Sequence, residues 1–225
     1  MNQFVIIVVG DNDDVVNMIN YTFYKGLTQA NYTDYIMYNT NIPEFMKNRV
    51  ANYNSFKDDL FSKMFSIDFS ENTKDDWYDF QNHNCIKGEK ILLEHERIYD
   101  SQLFNLIDIN KKIGFPINYP IIKISELQKT FERSIEYLYG NLFLYNFIKK
   151  INDVSFSKNI CIVTGIKENN DLREIKQTFK TKSIIINIED KNSLNDYFIE
   201  KEYLDKSNKF NLFYKIQTLI KFILI

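Results

Sequence analysis

The densest group of chemistry-bearing residues follows the first apolar run. Phe4-Val5-Ile6-Ile7-Val8-Val9 ends in Gly10, and Asp11, Asn12, Asp13 and Asp14 come directly after it. Bunched carboxylates at the end of a strand are the ligand type that holds a divalent cation for nuclease-like chemistry. The same carboxylates where a helix begins serve as caps and as partners of its dipole, and Asp13 and Asp14 stand where a helix starts. The second reading is the expectation, so no metal is assigned to them. His83, Cys85 and His95 offer nitrogen and sulfur ligands, with Glu94 and Glu96 beside them. A zinc site needs a fourth ligand and a recognised spacing, and the sequence supplies neither. Glu94-His95-Glu96-Arg97 pairs carboxylates with an imidazole that they could tune. Adjacent residues point apart on a strand and diverge on a helix, so a solvated charged face is expected. There is no Gly-x-Ser-x-Gly elbow and no Cys/His pair in a supporting context, so no catalytic residue is assigned.

The elements that would position these residues begin with the first run itself. Six apolar, mostly β-branched residues closed by glycine read as a strand buried on both faces, central in a parallel sheet. An amphipathic helix follows over Asp14–Tyr24. Strand, glycine turn, helix is how P-loop and dinucleotide-binding folds open. Asp34–Asn39 reads as a short strand, Pro43–Asn52 as a helix opened by proline, and Phe56–Phe65 as a helix by its apolar spacing. Ser66–Gly88 loses its pattern and reads as an irregular surface lobe, with Trp77, Tyr78 and Phe80 in a satellite cluster beneath it. Glu89–Glu96 reads as a strand or helical turn and Tyr99–Ile109 as a helix, followed by a connection at Gly114-Phe115-Pro116 and Tyr119-Pro120.

The longest helical pattern is Ser125–Tyr139, with Leu127, Phe131, Ile135 and Leu138 on the buried stripe and Ser125 as its cap. Gly140-Asn141 marks a stop before a second helix, Leu142–Ile151. Asn159–Thr164 reads as a buried strand ending at Gly165. A helix capped by Asn169 or Asn170 then runs to Phe179, and Ser183–Ile188 is another buried strand. Ser193–Tyr203 is mixed, and Asn208–Leu224 is a closing amphipathic helix. Strands and helices joined by short loops imply right-handed crossovers onto a parallel sheet. The expected fold is one α/β domain over residues 1–225. It has a mostly parallel sheet with helices on both faces and a helical or irregular inserted lobe at about 42–120.

The chain has 225 residues and a formal net charge of -2. No Lys/Arg block exceeds a pair, so the basic stripe of a non-specific nucleic-acid binder is missing and nucleic acid is not expected as a partner. Two cysteines give no disulfide framework, which points to a reducing compartment and a cytoplasmic location. There is no signal-peptide pattern, and no apolar run reaches transmembrane length, so no membrane span is expected. Heavy use of Asn, Ile, Lys, Tyr and Phe, with little Gly or Pro, reflects A/T-rich codons. Such a bias suits the genome of a large DNA virus or a parasite.

Several segments together resemble the deoxynucleoside monophosphate kinases of tailed phages and large DNA viruses, enzymes of the P-loop kinase fold. The matching parts are the first strand and helix, Leu127-Gln128 through Phe147, Asn159–Ile188 and Asn208–Ile225. They cover about half the chain by eye, and Ile42–Tyr119 is unmatched. The family's phosphate cradle needs a glycine, a lysine and a Ser/Thr hydroxyl where this chain has Val15, Val16 and Asn17. Its Gly-Thr-acid run falls on Phe131-Glu132-Arg133, and its Asp-x-Arg on Gly165-Ile166-Lys167. Its downstream acid falls on Asp171, the one conservative replacement. The resemblance therefore implies a vestigial cleft at Gly10, Asp11, Asp13, Asp14, Val16, Asn17, Arg133, Gly165, Lys167 and Asp171. It implies a kinase-like pseudoenzyme without cofactor or metal, with weak or absent nucleotide binding. Such a protein would act through a protein partner in a viral assembly or host contact, in the host cytoplasm or the virion. The alternative expectation is an enzyme or binder of nucleotide metabolism that uses the acidic loop Asp11–Asp14 in a rearranged way. A third is a structural subunit whose cleft is filled by side chains.

Overall fold

The computed structural model describes residues 4–80, 82–87, 121–139, 141–155, 160–179, 183–188 and 194–224. The chain separates into two compact units. One is Met1–Phe56 together with Asn146–Ile225, and the other is Lys57–Tyr145. The second unit thus begins and ends later in the sequence than the expected lobe at 42–120.

The first unit is α/β, built on a five-stranded sheet. Its strands are β1 (Phe4–Val9), β2 (Val50–Asn52), β6 (Ile160–Thr164), β7 (Ser183–Asn187) and β8 (Tyr197–Phe198), in the spatial order β2-β6-β1-β7-β8. Every pairing in this sheet is parallel. β1 lies in the centre, with Ile6 opposite Ile162 on one side and Ile184 on the other. The unbroken apolar runs explain that position. Side chains alternate between faces along a strand, so only a strand covered on both sides can be apolar throughout. Ile6, Val8, Ile162 and Ile186 join one core cluster, while Val5, Ile7, Cys161, Val163 and Ile185 point the opposite way and are equally sealed. Burial pushes the Cys161 thiol up to about 12, which keeps it protonated and inert.

Helices flank the sheet. α1 (Asp13–Lys25) follows β1, α2 (Tyr32–Asn39) and the single turn α3 (Glu44–Lys47) precede β2, and α4 (Tyr53–Phe65) follows it. Later come α6 (Leu142–Ser155), α7 (Asn169–Phe179) and the closing helix α8 (Lys209–Leu224). No helix among the described residues is long and apolar enough to cross a membrane. The core cluster of the first unit is filled by Val15, Met18, Ile19 and Tyr21 from α1, Tyr35 from α2, and Leu212, Phe213, Ile216 and Ile220 from α8.

Two local expectations are corrected here. Asp34–Asn39 is helix, not strand: the Asn31 side chain accepts the Asp34 N–H at 2.8 Å and caps α2, and Tyr35 is buried with its ring 5.5 Å from that of Phe213. Capping and a tertiary contact override the alternation of residue types. The helix expected over Pro43–Asn52 stops at Lys47, and the chain turns at Asn48 into β2. β2 is an edge strand held by β6, with the Ile162 N–H donating to the Arg49 carbonyl at 2.8 Å.

Tyrosines crowd the α1–α2 layer. The Tyr21 ring lies 4.9 Å from that of Tyr38 and 5.6 Å from that of Tyr35. Burial, reinforced by Tyr24, pushes the Tyr38 phenol up to about 12, and burial raises Tyr35 as well. An unfolded tyrosine loses its proton near pH 10. Between pH 10 and about 12 the unfolded chain therefore binds fewer protons than the folded one, and stability falls with rising pH. The expected result is a melting temperature that is steady below pH 10 and declines across pH 10–12, with a smaller decline in Tyr38→Phe. A flat profile in that window would contradict burial of these phenols.

The second unit contains a three-stranded antiparallel sheet of β3 (Trp77–Asp79), β4 (Asn84–Ile86) and β5 (Ile121–Lys123), in the order β4-β3-β5. The stretch Ser66–Gly88, expected to be irregular, supplies two of these strands; the third comes from far along the chain, beyond reach of a local pattern. Tyr78 is buried with its ring against Phe65 and Phe80. The helix α5 (Ile124–Tyr139) follows β5 directly. It starts one residue before the expected cap Ser125, and its first N–H groups donate to the carbonyls of Asp76 and Lys74 at 2.8 and 2.9 Å. Leu127, Phe131 and Ile135 are buried as expected, but Leu138 is 62% exposed. The apolar stripe continues in angle into the last turn, where no described residue buries Leu138. The features expected at Glu89–Glu96, Tyr99–Ile109, Gly114–Pro116, Tyr119-Pro120 and Gly140 lie outside the described residues.

Candidate functional site

In a parallel sheet the crevice for ligands opens at the carboxyl ends of the strands, where neighbouring connections leave in opposite directions. Here the chain leaves β1 toward β2 on one side and leaves β7 toward β8 on the other. A shallow, open cleft of about 520 Å³ lies at that place. Among the described residues it is lined by Asp11 and Asn12 after β1, Ile188 after β7, and Lys201, Glu202, Leu204 and Asp205 from the 3₁₀ turns before α8. Asp11 alone of these was a sequence candidate. Nothing local marks Lys201, Glu202 or Asp205, which reach the cleft only through tertiary packing.

The turn beneath the cleft is short. β1 ends at Val9 and α1 starts at Asp13, leaving Gly10, Asp11 and Asn12 between them. Gly10 is buried with φ +109°, a conformation closed to other residues. Asn12 is extended and caps the helix, its Oδ1 accepting the Val15 N–H at 3.1 Å. A phosphate-cradling loop instead wraps free backbone N–H groups around its anion. Val15 and Val16 are buried in the core, and the Asn17 amide donates to the Asn39 side chain at 3.0 Å. Val16 and Asn17 therefore belong to helix packing and not to the lining of the cleft.

The three aspartates point outward. Asp13 is exposed, Asp11 lies 3.8 Å from the Lys167 ammonium, and Asp14 lies 2.7 Å from that of Lys209. Exposed pairs of this kind contribute about 0–1 kcal/mol each. Asp13 and Asp14 also stand in the first turn of α1, where the helix dipole favours negative charge. Gly165, at φ +77°, ends β6, and a Cβ there would meet Asn52 Oδ1 at 2.8 Å. Asp171 is buried in the first turn of α7. Arg133 is exposed on α5, in the other unit. The structure thus brings Gly10, Asp11, Asp14 and Lys167 to the carboxyl end of the sheet, and places Val16 and Asn17 on α1, away from the lining of the cleft.

No group of three or more His, Cys, Asp or Glu among the described residues is placed to hold a metal ion. His83 sits in the β3–β4 hairpin with φ +51°, its Nδ1 3.4 Å from the Tyr78 hydroxyl. Burial pushes the neighbouring Cys85 thiol up. Glu94, His95, Glu96 and Arg97 lie outside the described residues. The chain matches no protein-family model, no curated protein and no solved structure.

Proposed function

We propose that the protein is a catalytically inactive, P-loop-kinase-like relative of the deoxynucleoside monophosphate kinases, and that it works by binding a protein partner. The parallel five-stranded sheet with β1 at its centre supports the kinase-like scaffold. The observation that carries the loss of activity is the turn at Gly10–Asn12. It has three residues, its helix is capped by the Asn12 side chain, and Val15 and Val16 in the first turns of that helix are core residues. The cleft above it presents Asp11, Glu202 and Asp205 against Lys201. A triphosphate brought there meets like charge, roughly 1 kcal/mol for each close pair in water-like surroundings. A viral origin, and a place in the host cytoplasm or the virion, go with this reading.

The test is a thermal-shift titration of the purified chain with each dNMP and with ATP–magnesium, alongside a phosphoryl-transfer assay. A ligand that binds the native state raises the melting temperature once its concentration exceeds Kd. The expected outcome is no shift below millimolar ATP and no ATP-dependent phosphorylation of any dNMP. The cleft itself favours one second reading, an enzyme or binder that uses Asp11 with Lys201 in a rearranged acidic site. Turnover that is abolished by Asp11→Asn would replace the first reading with that one.

A further inference from the structure

Away from the cleft, at the amino-terminal end of β2, a positive charge is buried without a counter-charge among the described residues. Arg49 is only 7% exposed. Its backbone is fixed where β2 starts, donating to the Met46 carbonyl at 3.1 Å and accepting from Ile162 at 2.8 Å. Its guanidinium lies over the Phe45 ring, 5.7 Å from the centroid. Nε is sealed from solvent and has no hydrogen-bond partner. No carboxylate among the described residues pairs with it.

Two neighbouring groups share that condition. The Tyr38 hydroxyl and Asn20 Oδ1 are sealed without partners, although the Asn20 amide donates to the Met46 carbonyl at 2.9 Å. Tyr38 lies near enough to Arg49 to act on its charge when the phenol ionises. A buried charge without an anion is strongly unfavourable, and native structures rarely leave one so. Beside these sealed groups is an aromatic rim open to solvent. Tyr24 is 44% exposed and Phe45 39% exposed, with their rings 5.6 Å apart, and Tyr24 stacks on Tyr38 at 6.0 Å. Lys25, 5.8 Å from the Tyr24 centroid, adds a second cation.

We propose that this surface is the docking site for an acidic peptide segment of a protein partner. One Asp or Glu carboxylate of the segment pairs with the Arg49 guanidinium, and an apolar residue beside it packs on Tyr24 and Phe45. The charge complementarity is specific: a guanidinium fork matches one carboxylate in two parallel hydrogen bonds. A desolvated arginine ringed by aromatic residues has the composition of a binding hot spot. The proposal rests on the reading that the protein works through a protein partner, and it supplies the chemistry of that partner.

The experiment measures fluorescence anisotropy of labelled nine-residue peptides centred on Leu-Asp-Leu or Leu-Glu-Leu, added to the full chain. Asn, Gln and phosphoserine counterparts of the central residue are run in parallel. The acidic peptides are expected to bind, with at least tenfold weaker binding by the amide counterparts and by Arg49→Met, and an intermediate loss in Arg49→Lys. Arg173→Met, at an exposed arginine on α7, should bind as the natural chain does. Without peptide, Arg49→Met should melt at or above the natural temperature, because a buried charge has been removed. Several outcomes would overturn the proposal. They are no binding by any acidic peptide, equal binding by the amides, and tighter binding by phosphoserine. A lowered melting temperature in Arg49→Met would make Arg49 structural, and a natural dimer that Arg49→Met converts to monomer would make the occupant a second copy. Kinase turnover would sink the inactive-kinase reading and leave these binding results standing, so the two failures are distinguishable.

Discussion

Introducing a phosphate-binding Gly-Lys pair through Val15→Gly with Val16→Lys is expected to unfold the protein and to confer no kinase activity. Val15 is fully buried and Val16 nearly so, both in the cluster under β1. Removing the Val15 side chain forfeits about 1.5–3 kcal/mol of apolar burial, and a glycine inside a helix costs about 1 kcal/mol more. Lysine at Val16 places an ammonium in that apolar cluster. An unpaired buried charge costs several kcal/mol. The sum approaches the roughly 5–15 kcal/mol that hold a whole domain together. Far-UV circular dichroism and urea denaturation of the double variant check this. A double variant with the natural urea midpoint would mean that these valines line an open loop after all.

The second large effect is expected from Gly165→Ala, with a loss of about 3 kcal/mol. A φ of +77° costs an alanine roughly 1–2 kcal/mol. Its methyl would also sit 2.8 Å from Asn52 Oδ1 and 3.1 Å from the Asn54 backbone nitrogen. The Asn52 oxygen accepts the Ser55 N–H at 2.9 Å, capping α4. Pushing that side chain away removes a cap worth about 1 kcal/mol, while the Asn54 backbone cannot swing aside. The urea midpoint of the variant reads the loss directly, and a midpoint within experimental error of the natural protein would contradict the close approach. In the proposed kinase-like reading, this glycine stands where the family has the aspartate of its Asp-x-Arg. An acidic side chain there would strain the same turn, so restoring the family residue one position at a time destabilises the chain.

The parts of the fold that could be read from sequence are those with a local signal strong enough to outweigh codon bias. β1, β6 and β7 announce themselves as unbroken β-branched runs, and α1, α4, α5, α6 and α8 as helical spacings. The α2 segment was misread because tyrosine, isoleucine and methionine suit either structure. The deciding feature, the Asn31 cap, is a weak signal in a chain where asparagine is everywhere. β2 has three residues and exists only through β6, and β3 is held partly by β5, so no window of sequence contains either cause. At the candidate site, Gly10 and Asp11 could be placed, because they follow a strand directly. Val16 and Asn17 can be matched to a cradle only by counting along a loop whose length the sequence does not state. Arg49 left no trace at all. One arginine among many lysines looks ordinary until its burial and missing carboxylate are known.

The sheet order also governs when this protein can fold. β1 is made first, yet both of its partners are made late: Phe4 pairs with Ile160, and Val5 with Ser183. At ribosomal rates of ~5–20 residues per second, the strand waits on the order of ten seconds or more before either neighbour has been synthesised. During that time Phe4–Val9 is an apolar, β-prone segment with two unpaired edges, the kind of segment that recruits other chains. Pairing over such long sequence separations is also slow once the chain is complete. Yield in a heterologous host should therefore be limited by aggregation of nascent chains more than by the stability of the finished protein, and should improve with slower synthesis, lower temperature or a co-expressed holdase.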